Sequence, residues 1–457
     1  MEQNSELEQS KSGLQEQADG VITLVLTADN HLGYAALSQH PRKREQCKQQ
    51  LRHAFQQATD FAIGQSVDLF VQAGDLFNTT NPDEQERSFV AECLAQLRQA
   101  GVRAFAVGGV HDTPIDAQHS VNVGKAEFAI TAPAPQLSYA RLGALYYFAP
   151  STDTSKLQNT EQAQDILSLE PVVVDVRGTL VAICGLSVRP GQEGDTLEHV
   201  RVQSDAERAA ISLLVLHAPI EGFATGTPLS LLDIQTQIGR ASIASQSAFR
   251  YILAGYHHTY QHLSIGQCDL IIAGATQHID FNDPDDVPGF VFIGLAADGI
   301  RWCKHIPVDA LQLRRLVVHA TDLWPQDTTT HADATANILE QLSPLCADDA
   351  MIQLRLEGEL TRSQYHQLNL NHIRQYSEEH CFALAIDDSA LTFLPEQELI
   401  SSAPGQVSAL SRGERLSPRE ELIALADEWI ASSPDEQEQA ALQATKEELL
   451  AVWSKNV

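Results

Sequence analysis

An unbroken apolar run, VITLVLTA (21–28), predicts a buried strand, and Leu51, Phe55, Ala58 and Ala62 then recur at helical spacing within a long amphipathic helix over 41–65. VDLFVQAG (67–74) predicts a second strand, residues 83–99 a second helix, and VRAFAVGG (102–109) a third strand. Strand-helix-strand-helix-strand order implies parallel pairing, with the loops at the carboxyl ends of the strands gathered on one edge. Ligand sites of open α/β sheets lie at that edge. From 171 to 306 the pattern turns to strands, PVVVDV, TLVAICGLS, ISLLVLH, FRYILAGYHH, CDLIIAG, GFVFIGLA and GIRWCKHI, which predict a second sheet packed on the first. The expected fold is α/β (α+β), a β-sandwich with helices outside. A strand over 313–321, a helix over 332–342, MIQLRLEG, a helix over 363–375 and CFALAI (381–386) predict a small α+β domain. A Ser/Pro/Gly-rich linker at 400–414 leads to amphipathic helices within 416–455, whose apolar stripes suit packing on the chain's own body or docking to a partner.

Composition narrows the class. A length of 457 residues suggests two or three domains at roughly 100–200 residues each. No run approaches the ~18 apolar residues of a membrane span. Residues 1–20, polar and acidic, read as a disordered tail without the apolar stretch of a secretory signal, which points to the cytoplasm. The seven cysteines stand far apart with no CxxC spacing, as buried free thiols of a reducing compartment would. A formal net charge of -30 argues against nucleic-acid binding through a broad basic surface. A polyanion would have to be held by a local basic patch, by metal ions or by a partner.

Candidate chemistry collects at the strand ends. The first strand runs into Asp29 and His31, the second into Gly74-Asp75, and the third into Gly109-Val110-His111-Asp112; later strands end in His217 and in His257-His258. Each alone suits a structural role, but five strands delivering Asp or His to one edge make a metal site. Oxygen and imidazole donors without thiolate suit Mn²⁺, Fe²⁺ or Zn²⁺. A pair of such ions can clamp a phosphate and activate water, with a central-strand carboxylate bridging them.

The order DxH, GD, G-x-H-D, strand-end His and G-x-x-H resembles the calcineurin-like metallophosphoesterases. GDLFN, VAICGLS, LLVLHAP and AGATQHIDFNDPDDVPGFVFIGL are similar to the SbcD-type DNA-repair nucleases, including their YhaO-like branch. The resemblance implies a double β-sandwich nuclease domain at 21–308, a capping domain at 309–398, and a linker and helical partner-binding tail at 399–457. It implies Asp29, His31 and His258 on a first metal, Asp75 as the bridge, His217 on a second, and a loop in which His111 protonates the leaving oxygen or steadies the phosphate while Asp112 shapes the turn. It also implies an SbcC-like coiled-coil ATPase as partner through the tail, DNA bound through that complex, a homodimer, and no membrane.

Two positions depart from the family. Val110 stands where an asparagine carbonyl binds the second metal, and Tyr256 where the first of two histidines does. Valine offers no lone pair, and a phenol with reference pKa near ~10 is a poor ligand unless the metal drives its deprotonation. His257 could substitute by a one-residue shift, although adjacent strand residues point to opposite faces. The first site keeps four donors and the second only Asp75 and His217, so one Mn²⁺ is expected, with Fe²⁺ or Zn²⁺ also suited. Three readings stay open: a metal-dependent nuclease acting on DNA ends, a degenerate scaffold or DNA-end sensor, and a small-molecule phosphoesterase.

Overall fold

The computed structural model describes residues 20–35, 41–114, 133–149, 167–188, 200–202, 209–222, 249–266, 268–281, 283, 286–324 and 333–394, with isolated positions 439, 442, 443, 445 and 446. The expected tail over 1–20, save Gly20, the linker from 399 and the terminal helices, save those isolated positions, lie outside the described residues. The chain divides into two compact units, Met1–Glu396 and Gln397–Val457. All of the described strands belong to the first.

Strand β1 (Ile22–Thr27), helix α1 (Pro41–Gly64), β2 (Leu69–Ala73), α2 (Glu84–Gln99), β3 (Arg103–Val107), α3 (Gln136–Arg141) and β4 (Tyr146–Phe148) come first along the chain. β1, β2, β3 and β4 pair in parallel, as the alternation requires. Every residue of β1 and β2 is buried, because helices cover one face of their sheet and a second sheet the other. α1 and α2 lay Leu51, Phe55, Ala58, Val90 and Leu97 on the outer face, against Val25 and Phe70. Asp83 starts α2 cleanly, its carboxylate accepting the Glu86 N–H at 3.0 Å.

The strand-rich half supplies β5 (Leu167–Leu169), β6 (Val172–Val176), β7 (Thr179–Leu186), β8 (Val200–Val202), β9 (Ile211–His217), β10 (Tyr251–Gly255), β11 (Gln261–Ile265), β12 (Cys268–Ile272), β13 (Gly289–Ala296) and β14 (Gly299–Pro307). β13 and β14 join the first sheet antiparallel, giving the order β14-β13-β1-β2-β3-β4, and β11-β12-β10-β9-β7-β6 forms a second sheet. Leu24, Val71 and Val107 of the first sheet meet Ile183, Leu213 and Leu253 of the second in a single apolar layer. The expected sandwich is therefore present, and β1, β2, β9 and β10 occupy central positions whose carboxyl ends converge.

A third sheet, β15 (Gln312–His319), β16 (Ala350–Thr361) and β17 (Ala383–Leu394), follows with α4 (Ala320–Leu323), α5 (Ala334–Leu342), α6 (Arg362–Gln367) and α7 (Leu370–His380) between its strands. The small α+β unit is thus built as a parallel three-stranded layer. The single helix expected over 363–375 is two: Leu368 turns extended and Asn369 caps a new helix by accepting the His372 N–H. Cys346 and Cys381, expected to stand apart, are brought together with Cα atoms 4.9 Å apart, because α7 returns the chain to the start of β16; the other five cysteines are free. The layer docks on α1, whose Lys43 Nζ donates to the carbonyls of Glu378 and Cys381, each at 2.7 Å. No helix among the described residues is long and apolar enough to cross a membrane.

Candidate metal centre

The loops after β1 and β2 are zipped together by backbone bonds: Asp29 N donates to Gly74 O, His31 N to Asp75 O and Leu32 N to Leu76 O, each at 3.0 Å. This forces left-handed backbone at Asp29 (φ 49°), His31 (φ 44°) and Asp75 (φ 53°). Such conformations cost roughly 1–3 kcal/mol each and persist where the surroundings over-determine them. A buried amide network does so here. Asn30 Nδ2 donates to Thr27 Oγ1 and Thr276 Oγ1, while Gln72 Nε2 donates to Asn30 Oδ1 and to Gly74 O.

The third loop is moulded around Asp75. His111 N donates to Asp75 Oδ1 at 2.8 Å, and a Cβ at Gly109 would overlap that carboxylate, so no other residue fits at 109. Asp112, fully buried, accepts the N–H groups of Gly109 and Phe77 and the side-chain amide of Gln136. It braces the loop from behind and does not line the cavity. His111 stands exposed at the rim, its ring 4.8 Å from that of His31.

His217, at the end of β9, has Nδ1 2.9 Å from the Ala73 carbonyl. Nδ1 therefore carries the hydrogen, and Nε2 faces Asp75 Oδ2 at 3.2 Å and Asp29 Oδ1 at 4.0 Å. A lone pair aimed at two carboxylates is repulsive unless a cation or proton lies between them. His31 has both ring nitrogens buried without a hydrogen-bond partner. His258 Nδ1 meets Asp283 Oδ1 at 2.7 Å, which leaves Nε2 for the cavity side.

Ligand atoms accordingly gather in three overlapping trios, each within 4.8 Å: Asp29, His31 and His258; Asp29, Asp75 and His217; His31, Asp75 and His111. Orphaned imidazole nitrogens beside paired carboxylates, with outer partners fixing the tautomers, fit a divalent cation. The cavity in front of them, about 430 Å³, is also lined by Tyr34, Asn78, Val110, Tyr256, Ile279, Asp280 and Asp283.

Electrostatics agree with a site built for positive charge. Burial pushes Asp29 up to about 7 against the pull of His217 and His258. Burial opposes protonation of His217 and His258, but Asp75 beside the first and Asp283 beside the second overcome it and raise both to about 9. Burial would raise Asp75, yet His217 and His31 hold it well below the usual carboxylate range. Burial drives His31 down to about 3, keeping it a neutral donor, and raises Asp112 to about 7 with help from Asp75. Asp283 is lowered because its bond to His258 outweighs its own burial.

All the candidate ligands meet here, and the two departed positions do as well. Val110 and Tyr256 both line the cavity. The Tyr256 N–H donates to both Asp29 oxygens, at 3.2 and 3.0 Å, while its ring stands edge-on to His217 at 5.6 Å. Its backbone is left-handed, φ 89°, and Gly255 before it is required because a Cβ there would strike the Ala73 carbonyl and the His217 ring. His257 points elsewhere. Its Nε2 accepts the Ile220 N–H at 2.8 Å, burial lowers it to about 4, and it belongs to none of the trios.

Sequence reading missed Asp283, Gln72 and Gln136. Asp283 lies in the acidic run DFNDPDD, where no strand end singles it out, and the two glutamines serve through amides that carry no motif.

Residues 22–232 match the calcineurin-like phosphoesterase family. The DNA double-strand break repair protein Mre11 of Halobacterium salinarum is 24% identical over 336 residues, 74% of this chain and 70% of that protein. The Mre11 protein of Methanosarcina mazei is 32% identical over 95 residues, 21% of this chain and 15% of its own length. A dimetal phosphatase structure from Danio rerio aligns at 13% identity with a TM-score of 0.33, covering 64% of this chain and 100% of that one.

Proposed function

We propose, from the premise that this chain carries a calcineurin-like phosphoesterase domain, that it is a metal-dependent phosphodiesterase of the SbcD and Mre11 kind. It acts on DNA ends with an SbcC-like coiled-coil ATPase, holding one divalent ion firmly and a second only weakly, through Asp75 and His217. The observation that carries this is the convergence of Asp29, His31, Asp75 and His258 on one cavity, with His217 buried behind Asp29 and Asp75, and with Val110 and Tyr256 in the remaining wall.

Asp29, His31, Asp75 and His258 would hold the firm ion, here taken as Mn²⁺, with Fe²⁺ and Zn²⁺ as alternatives. A divalent ion there supplies Lewis-acid polarisation of a phosphoryl oxygen and a water acidified toward hydroxide. The chain's own groups do the rest. Asp75 anchors the His111 backbone, which sets that imidazole at the rim to donate a proton to the departing oxygen. His217 keeps its Nδ1–H on Ala73 O, so that Nε2 stays directed at Asp75. Asp112 and Gln136 keep the loop from relaxing. The acidic chain, at -30, suits a subunit whose polyanion is held by ions and by a partner.

Val110 and Tyr256 favour a second reading, a nuclease-like scaffold or end sensor that binds an ion without turnover. Mn²⁺-dependent cleavage of linear duplex and single-stranded DNA, assayed with and without the neighbouring ATPase, separates the two. Cleavage abolished by Asp75→Ala supports the enzyme. No cleavage by the native complex supports the scaffold, and cleavage that survives Asp75→Ala marks a contaminant.

A further inference from the structure

Arg315, a side chain of the third sheet, reaches the turn behind the metal centre. Arg315 of β15 donates from Nη2 to the Asp283 carbonyl at 2.5 Å and to the Phe281 carbonyl at 3.5 Å, and from Nε to Gln353 Oε1 of β16 at 2.9 Å. Asp283 is buried, and each of its oxygens is committed. Oδ2 accepts the N–H groups of Ile279 at 2.9 Å and Asp280 at 3.0 Å, while Oδ1 takes His258 Nδ1. The His258 ring, 5.6 Å from that of His31, then presents Nε2 toward Asp29 and His31.

A histidine ligand needs its second nitrogen occupied, or the ring can rotate and change tautomer. Among the described residues that occupant is Asp283, and the backbone of Asp283 is in turn gripped by Arg315. We propose that Asp283 is a positioning residue that aims His258 at the ion, and that Arg315 fixes Asp283 there, joining the third sheet to the metal centre. This rests on the reading of His258 as a ligand. The bland alternative is that Asp283 merely closes the 279–283 turn through its bonds to backbone N–H groups.

The test uses the full chain with Mn²⁺ alone as probe, its dissociation constant read by electron paramagnetic resonance titration. Asp283→Asn keeps the shape but loses the charge, and is expected to weaken binding about 10–100-fold. Arg315→Gln, which loses the guanidinium's bonds to the Asp283 and Phe281 carbonyls, is expected to weaken it about fivefold, the equivalent of about 1 kcal/mol. In a His258→Ala background, already weaker, Asp283→Asn should add less than about twofold, because the two act through one nitrogen. Native-like Mn²⁺ affinity in Asp283→Asn overturns the proposal, as does an equal loss in both backgrounds, which is what the turn-closing role predicts. An unchanged affinity in His258→Ala would instead remove the ligand reading, and this inference with it. Should Asp283→Asn not fold, ¹⁵N NMR of the Zn²⁺-loaded native chain decides: His258 protonated at Nδ1 supports the proposal, and protonation at Nε2 overturns it.

Discussion

Restoring the two lost donors should create a second ion site. Val110→Asn with Tyr256→His requires no backbone change: residue 110 is clamped by Gly109 N on Asp112 Oδ1 and His111 N on Asp75 Oδ1, both 2.8 Å. Histidine also accepts the left-handed backbone of position 256 more readily than tyrosine, so the N–H bond to Asp29 survives. Each new donor is set at roughly 1.5–3 kcal/mol, as for hydrogen bonds to charged groups. Two donors then give about 3–6 kcal/mol, or on the order of 10²–10⁴ in the second dissociation constant. Isothermal titration with Mn²⁺ should show one tight ion in the native chain and two in the double variant, and electron paramagnetic resonance should reveal exchange coupling only in the variant. A stoichiometry that stays at one, or a native chain already holding two ions of similar affinity, refutes the reasoning.

Other expectations rest on the same geometry. Gly109→Ala pushes a methyl group into the Asp75 carboxylate, so it should lower stability by about 1–3 kcal/mol and weaken Mn²⁺ binding; calorimetry and titration check both. The ion-free chain holds protons at Asp29 near pH 7 and at His217 and His258 near pH 9, all above their ordinary values. Each contribution is full below the group's ordinary value and lost by its raised one, between about pH 4 and 7 for Asp29 and between about 6.5 and 9 for the two histidines, so the metal-free melting temperature should fall from about pH 6.5 to 9 and recover with Mn²⁺. A melting temperature that rises there would contradict the assignment. Mn²⁺ must displace the same protons, so its affinity should climb with pH, with proton release visible as a buffer-dependent binding heat. Deleting 405–457 should abolish co-purification with the ATPase; retention would show that the tail is not the docking segment.

The strands that carry the candidate ligands were legible because each is an apolar run closed by a charged or imidazole residue, as in LVLT before Asp29 and SLLVLH ending in His217. The sandwich follows from that pattern, since runs buried on both faces need a second layer. What holds the ligands in place was not legible. Asp283 and Arg315 are 32 residues apart and belong to no periodic element that would pair them. The break at Leu368 depends on Asn369 as a cap, and helical spacing on both sides of it hides the interruption. Cys346 and Cys381 become neighbours only when β16 and the end of α7 come together. The role of Tyr256 divides the same way: its missing imidazole shows in the sequence, whereas its N–H on Asp29 shows only in the fold.

The number and position of bound ions test the central claim most directly. Crystals of the native chain grown with Mn²⁺ and measured at the manganese edge should show one strong anomalous peak per chain, among Asp29, His31, Asp75 and His258. Two peaks of equal height, the second beside His217, would contradict the account.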